Sequence, residues 1–115
     1  MSKTIAKKGP SLGQPIDVKN EKELSEILSA NNIVLVDFWA QWCGPCLLMD
    51  KNIIDIAREE MDNVIVVKVD VSLHSTLSKH FGVKGLPTVI VFKDGKETIR
   101  QSGSLTKNRL TNLLK

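Results

Sequence analysis

The 115-residue sequence predicts a single α/β domain in three layers, a central mixed β-sheet with helices on both faces. Two dense β-branched runs, Ile33 to Trp39 and Val64 to Val71, are separated by a long stretch of helical periodicity, enough chain for a parallel crossover. Two later runs, Thr88 to Lys93 and Lys96 to Ser102, flank Asp94-Gly95, a two-residue hairpin signal. At 42% hydrophobic content the chain can bury one core without disulfide stapling.

Pro15-Ile16-Asp17-Val18 reads as a short edge strand, where a proline need not donate to a ladder. Asn20 with Glu23 three residues on has the form of an N-cap and capping-box acid, and Leu24, Ile27 and Leu28 continue at helical spacing to Ala30. Ile33 to Trp39 is nearly continuous and apolar, the pattern of a strand covered on both faces. From Pro45, the positions Leu48, Met49, Ile53, Ile56, Ala57 and Met61 predict a helix of about four turns. Pro45 suits its first turn, because the missing N–H would have no intrahelical partner there. After the strand at Val64 to Val71, Ser75 to Phe81 predicts a short helix ended by Gly82. The hairpin makes the last two strands antiparallel, and Leu105, Leu110, Leu113 and Leu114 give a final helix one apolar face, with Thr106 as N-cap. The predicted order is β-α-β-α-β-α-β-β-α, parallel in the centre of the sheet and closed by the hairpin.

The net charge of +3 originates in the N-terminal segment: residues 1–15 hold Lys3, Lys7 and Lys8 and no acid, and from Ile16 onward 13 basic residues balance 13 acidic ones. A neutral body with only five aromatic side chains lacks the basic stripe and stacking series of a nucleic-acid binder. Gly9, Pro10, Gly13 and Pro15 break any helix in the first segment, so residues 1–15 are expected to form a flexible arm ahead of a domain over 16–115. The arm has neither the apolar run of a signal peptide nor the Arg-rich pattern of a transit peptide, and no stretch approaches the roughly 18 apolar residues of a membrane span. The expectation is a cytoplasmic monomer that binds neither nucleic acid nor membrane.

The two cysteines, Cys43 and Cys46, lie three positions apart, so a bridge between them would remove little unfolded-state entropy and is no structural staple. An isolated C-x-x-C points to redox chemistry or metal binding. A metal would need His74 and His80 to complete a tetrahedron; six residues apart, they do not share a helix face, and no metal site is expected. A thiol attacks a disulfide only as thiolate. Cys43 would stand at the exposed start of a helix, where free N–H groups and the macrodipole favour negative charge, with Cys46 one turn in and shielded. Cys43 is therefore the expected nucleophile and Cys46 the resolving thiol, giving a redox-active Cys43–Cys46 disulfide and no bound cofactor.

The segment Val36-Asp37-Phe38-Trp39-Ala40-Gln41-Trp42-Cys43-Gly44-Pro45-Cys46 closely resembles the active-site segment of the thioredoxin family, and Gly85-Leu86-Pro87-Thr88 resembles its cis-proline loop. The resemblance runs from about Ile16 to Lys115, with Phe38, Asp94-Gly95 and Gly103 also in family places. It implies the thioredoxin fold and a protein-disulfide reductase that carries electrons from thioredoxin reductase to client proteins with disulfides, maintaining cell redox homeostasis. Asp37, otherwise an expensive carboxylate in an apolar strand, is implied to accept and return the proton of Cys46, its pKa raised by desolvation. The plainer alternative is an ion pair between Asp37 and Lys68, and Lys68 can also serve the first role by tuning Asp37. Pro87 is implied to be cis, setting the Leu86 backbone beside Cys43 to bind an extended client in β fashion. Trp42 is implied to flank the dithiol as a contact surface, whereas Trp39 suits the core equally well as that surface. Gly44, Gly85 and Gly103 are implied to let a client backbone approach closely, forming a shallow groove with Trp42, Leu86 and Pro87.

Two residues depart from the family pattern. Leu47 follows Cys46 where many thioredoxins have Lys or Arg, and Lys51 stands where many have a helix-kinking proline. Loss of a cation beside the dithiol disfavours the thiolate and changes the charge offered to partners. Absence of the proline predicts a straighter helix with its backbone hydrogen bond intact at Lys51. Gly44-Pro45 between the cysteines resembles the reducing branch of the fold; the competing readings are a disulfide oxidase or isomerase, and a docking subunit in which the dithiol is incidental.

Overall fold

The computed structural model describes residues 13–115, so the arm expected over residues 1–15 lies, as far as residue 12, outside them. The described elements follow the predicted order: β1 (Ile16–Asp17), α1 (Glu21–Ala30), β2 (Ile33–Trp39), α2 (Gly44–Glu59), β3 (Ile65–Asp70), α3 (Ser75–His80), β4 (Thr88–Lys93), β5 (Lys96–Ser102) and α4 (Lys107–Leu113). The sheet runs β1-β3-β2-β4-β5. β3 pairs in parallel with both β1 and β2, while β4 is antiparallel to β2 and β5 to β4.

Local chemistry sets the ends of these elements. The Asn20 side chain accepts the Glu23 N–H at 2.8 Å, and the Glu23 carboxylate accepts the Lys19 N–H at 2.9 Å, so the capping box closes one residue before the cap itself. Thr106 Oγ1 accepts the Arg109 N–H at 3.1 Å and starts α4. Asp94 (φ +53°) and Gly95 (φ +82°) both take the left-handed region that a two-residue hairpin needs.

β2 is covered on both faces, as its composition predicts. Val34, Val36 and Phe38 pack with Leu24 and Ile27 of α1 and Leu77 of α3. Leu35, one residue out of phase, packs with Met49, Ile53 and Ile56 of α2 and Leu110 and Leu113 of α4. By the same alternation Asp37 falls on the α2 face, beneath the helix that carries the cysteines.

The buried stripe of α2 is Cys46, Met49, Ile53, Ile56 and Ala57. Leu48, predicted to belong to it, is instead 79% exposed. At about 100° per residue, two positions on from Cys46 is the opposite side of the helix, and Met49 takes the buried place. Met61 is also exposed, because α2 ends at Glu59. α2 runs unbroken through Lys51, whose ammonium meets Asp55 one turn on at 3.3 Å.

These positions make a contrasting pair. Leu110→Ala, which empties a fully buried site between α4 and the sheet, is expected to cost about 2–5 kcal/mol in urea unfolding, whereas Leu48→Ala stays within about 0.5 kcal/mol. Equal losses would contradict the packing described.

Candidate active site

The site is built where β2 runs into α2. The Cys43 N–H bonds the Ala40 carbonyl at 3.1 Å, which closes the turn after the strand. Cys43 is extended (φ −95°, ψ 104°) and caps α2, its Sγ accepting the Cys46 N–H at 3.2 Å, with Pro45 in the first turn. Sulfur thus takes the role that a Ser or Asp oxygen usually fills, and a free N–H of the helix start points at it. The same geometry favours a thiolate there once the pair is reduced. Cys43 and Cys46 are joined in a disulfide, Cα atoms 5.3 Å apart.

The expected contrast in exposure between the two cysteines is small in this oxidised state: Cys43 is 5% exposed and Cys46 2%. Bridging draws both cysteines against Ala40, with Trp39, Val71 and Leu86 packed around them. The asymmetry lies in what each faces. Cys43 lines an open groove of about 500 Å³ with Trp42, Gly44, Pro45, Val83 and Leu86, and Cys46 does not. Trp42 stands 72% exposed at its edge. The Leu86–Pro87 bond is cis, and Pro87 lies buried behind Leu86 with its carbonyl accepting the Gly103 N–H at 2.8 Å.

Gly85, Pro87 and Gly103 do not line the groove themselves; the loop reaches it through Leu86. A Cβ at Gly44, Gly85 or Gly103 would meet nothing within 4 Å. The close approach expected there is therefore not made by the chain's own atoms. Gly103 has a separate need, a φ of +98° that side-chain-bearing residues rarely adopt.

Beneath the disulfide, Asp37 is buried and its Oδ1 has no hydrogen-bond partner. Burial pushes its carboxyl up to about 7; the Lys68 ammonium pulls the other way and the Asp50 carboxylate adds to the rise. Lys68 is Asp37's neighbour in register across β2 and β3, yet the ion pair weighed between them does not form. The Lys68 ammonium pairs with Asp50 of α2 and lies 4.4 Å from the centre of the half-buried Trp39 ring. Sequence reasoning missed Asp50. Its signal was the i, i+4 spacing from Cys46, which sets it one turn further along the helix that covers Asp37.

His80 is exposed and pairs with Glu21 at 3.0 Å, while His74 is half-buried just before α3; neither lines the groove. Among the described residues no group of three or more His, Cys, Asp or Glu is placed to hold a metal ion, and no helix is long and apolar enough to cross a membrane.

Two sulfurs that pass between a thiol pair and a bridge, one of them facing a groove, exchange disulfides with another molecule without any further group. Fold and site together define a dithiol–disulfide oxidoreductase. The family model for thioredoxin matches residues 15–115, and the chain belongs to the thioredoxin family, its redox-active group being the Cys43–Cys46 pair. A thioredoxin from Mycoplasmoides gallisepticum is 40% identical over 98 residues, 85% of this chain and 97% of its own. A bifunctional thioredoxin reductase/thioredoxin from Mycobacterium leprae is 37% identical over 98 residues, 85% of this chain and 21% of its own. Among solved structures, a mutant thioredoxin from Halobacterium salinarum superposes with a TM-score of 0.85 at 33% identity, covering 90% of each chain.

Proposed function

We propose that the protein reduces client disulfides with Cys43 as nucleophile, Cys46 as resolving thiol and Asp37 as proton acceptor. The observation that carries this reading is the Cys43 sulfur, which accepts the Cys46 N–H at the start of α2 while facing the groove. The Cys43 thiolate attacks one sulfur of the client disulfide and displaces the other as a thiolate, forming a mixed disulfide. Asp37 takes the proton of Cys46; the Cys46 sulfur attacks Cys43, the second client thiolate departs, and the electron pair has passed to the client. Trp42, Pro45 and the Leu86 backbone form the docking edge, and the open space over Gly44, Gly85 and Gly103 admits an extended peptide.

Thiolate stabilisation supplies only part of the rate. Lowering a thiol pKa from about 8.5 to about 7, a value typical of thioredoxins, raises the thiolate fraction at neutral pH about fifteenfold, but weaker nucleophilicity takes back about sixfold. Positioning of the second thiol and of the client must supply the rest.

A thioredoxin reductase is the proposed electron donor, supported by the mycobacterial relative whose name joins both activities in one protein. The activity is assigned to the domain over 16–115 acting as a monomer in the cytoplasm. The family match beginning at residue 15 supports the boundary, the completeness of dithiol and groove within one chain supports the monomer, and the two-cysteine composition suits a reducing compartment.

The test is turnover of an insulin-type disulfide with a thioredoxin reductase and its reductant, together with the potential of the Cys43–Cys46 couple. Turnover and a potential below about −230 mV are expected; a potential above about −200 mV would make the chain an oxidant or isomerase and overturn the reading.

A further inference from the structure

Asp50 is a charged group near the dithiol that the proposed reaction does not use. It stands one turn after Cys46 and is part-exposed, and it holds the ammonium of Lys68, whose side chain is only 13% exposed. The charged groups facing Asp37 come from two elements, Lys68 from β3 and Asp50 from α2; the register neighbour on β4 is the uncharged Val89, and Cys46 above carries no charge while bridged. Two carboxylates therefore compete for one ammonium. Asp50 keeps part of its hydration when it pairs, whereas pairing at Asp37 would require both charges deep in the sheet, so the outer carboxylate wins. With Asp50 removed, Lys68 has Asp37 within reach, because adjacent strands lie only about 4.8 Å apart.

We propose that Asp50 is a positioning residue that holds the Lys68 ammonium against Trp39 and off Asp37, leaving the buried carboxyl unpaired and free to take and return the proton of Cys46. The unpartnered Asp37 Oδ1 and the placement of Lys68 over the Trp39 ring are the two sides of this arrangement. The kinetic part rests on the proton-acceptor role proposed for Asp37; the electrostatic part does not.

The test is a ¹³C NMR titration of the Asp37 carboxyl in the full oxidised chain. Asp50→Asn, near-isosteric and on a part-exposed helix position, is expected to lower the midpoint by about one unit or more, as an opposite charge brought next to a carboxylate does. Asp50→Glu restores it. In a Lys68→Met background, Asp50→Asn moves the midpoint by less than half as much, because its effect passes through Lys68. An unchanged or raised midpoint in Asp50→Asn, or an equal fall in both backgrounds, overturns the proposal. The pH profile of client release from the mixed disulfide separates the two claims. A profile that moves with the titration supports both, and one that stays put while the titration moves overturns the relay through Asp37 and supports the Asp50–Lys68 coupling.

Discussion

Cys43→Ser is expected to reduce disulfide turnover to the uncatalysed background, a loss on the order of a thousandfold or more, while leaving the fold intact. A hydroxyl is far less acidic than a thiol and cannot form the mixed disulfide, so the step is removed rather than slowed. Stability should change little, because the Cys43–Cys46 bridge closes a loop of only three positions and constrains the unfolded chain weakly. A coupled reductase assay beside a urea unfolding curve checks both halves. A folded variant that keeps even a tenth of the parent rate would place the nucleophile elsewhere.

The second large effect is a stability that falls as pH rises, a decline abolished by Asp37→Asn. The Asp37 carboxyl titrates at about 7 in the folded chain against 3.8 as its ordinary value. Between those pH values the folded state holds a proton that the unfolded state has released, so stability declines from about pH 4 to pH 7 and then levels off, by roughly 4 kcal/mol in all. Glu97 works in a different window. Arg100 holds its carboxyl below the usual range, so its contribution is present above the unfolded pKa and is lost only on further acidification. Asp37→Asn is thus expected to match the parent near pH 4 and to exceed it by several kcal/mol at pH 8, as read from urea midpoints. On the proton-acceptor role proposed for Asp37, the same change should slow client release, because an amide cannot take the proton of Cys46. A variant no more stable than the parent at pH 8 would contradict the burial assigned to Asp37.

What was legible in the sequence is what depends on near neighbours. Asn20, Thr106 and Asp94-Gly95 act within four residues, and their caps and hairpin are present. The bounds of β2, β4 and β5 follow from composition and turn chemistry, and the reactive pair was legible because its spacing and its place after an apolar strand are both local. Leu48 was misassigned because Leu47, Leu48 and Met49 are consecutive apolar residues that all suit an apolar stripe until the helix is rotated onto the sheet, which buries Met49 and leaves both leucines exposed. Asp37 was legible as an anomaly, but its surroundings were not. The pairing of Lys68 with Asp50 joins residues 18 apart in the chain and exists only once α2 lies across β3. The near-equal burial of Cys43 and Cys46 likewise follows from bridging and packing, which helix position alone does not express.

The division of labour between the cysteines is tested most directly by Cys46→Ser. Mixed with a disulfide-bearing client, this variant is expected to stop after one attack and accumulate a covalent adduct, with peptide mass spectrometry placing the client on Cys43. Sustained multiple turnover by Cys46→Ser, or a client adduct formed as readily through Cys46 in Cys43→Ser, would contradict the account.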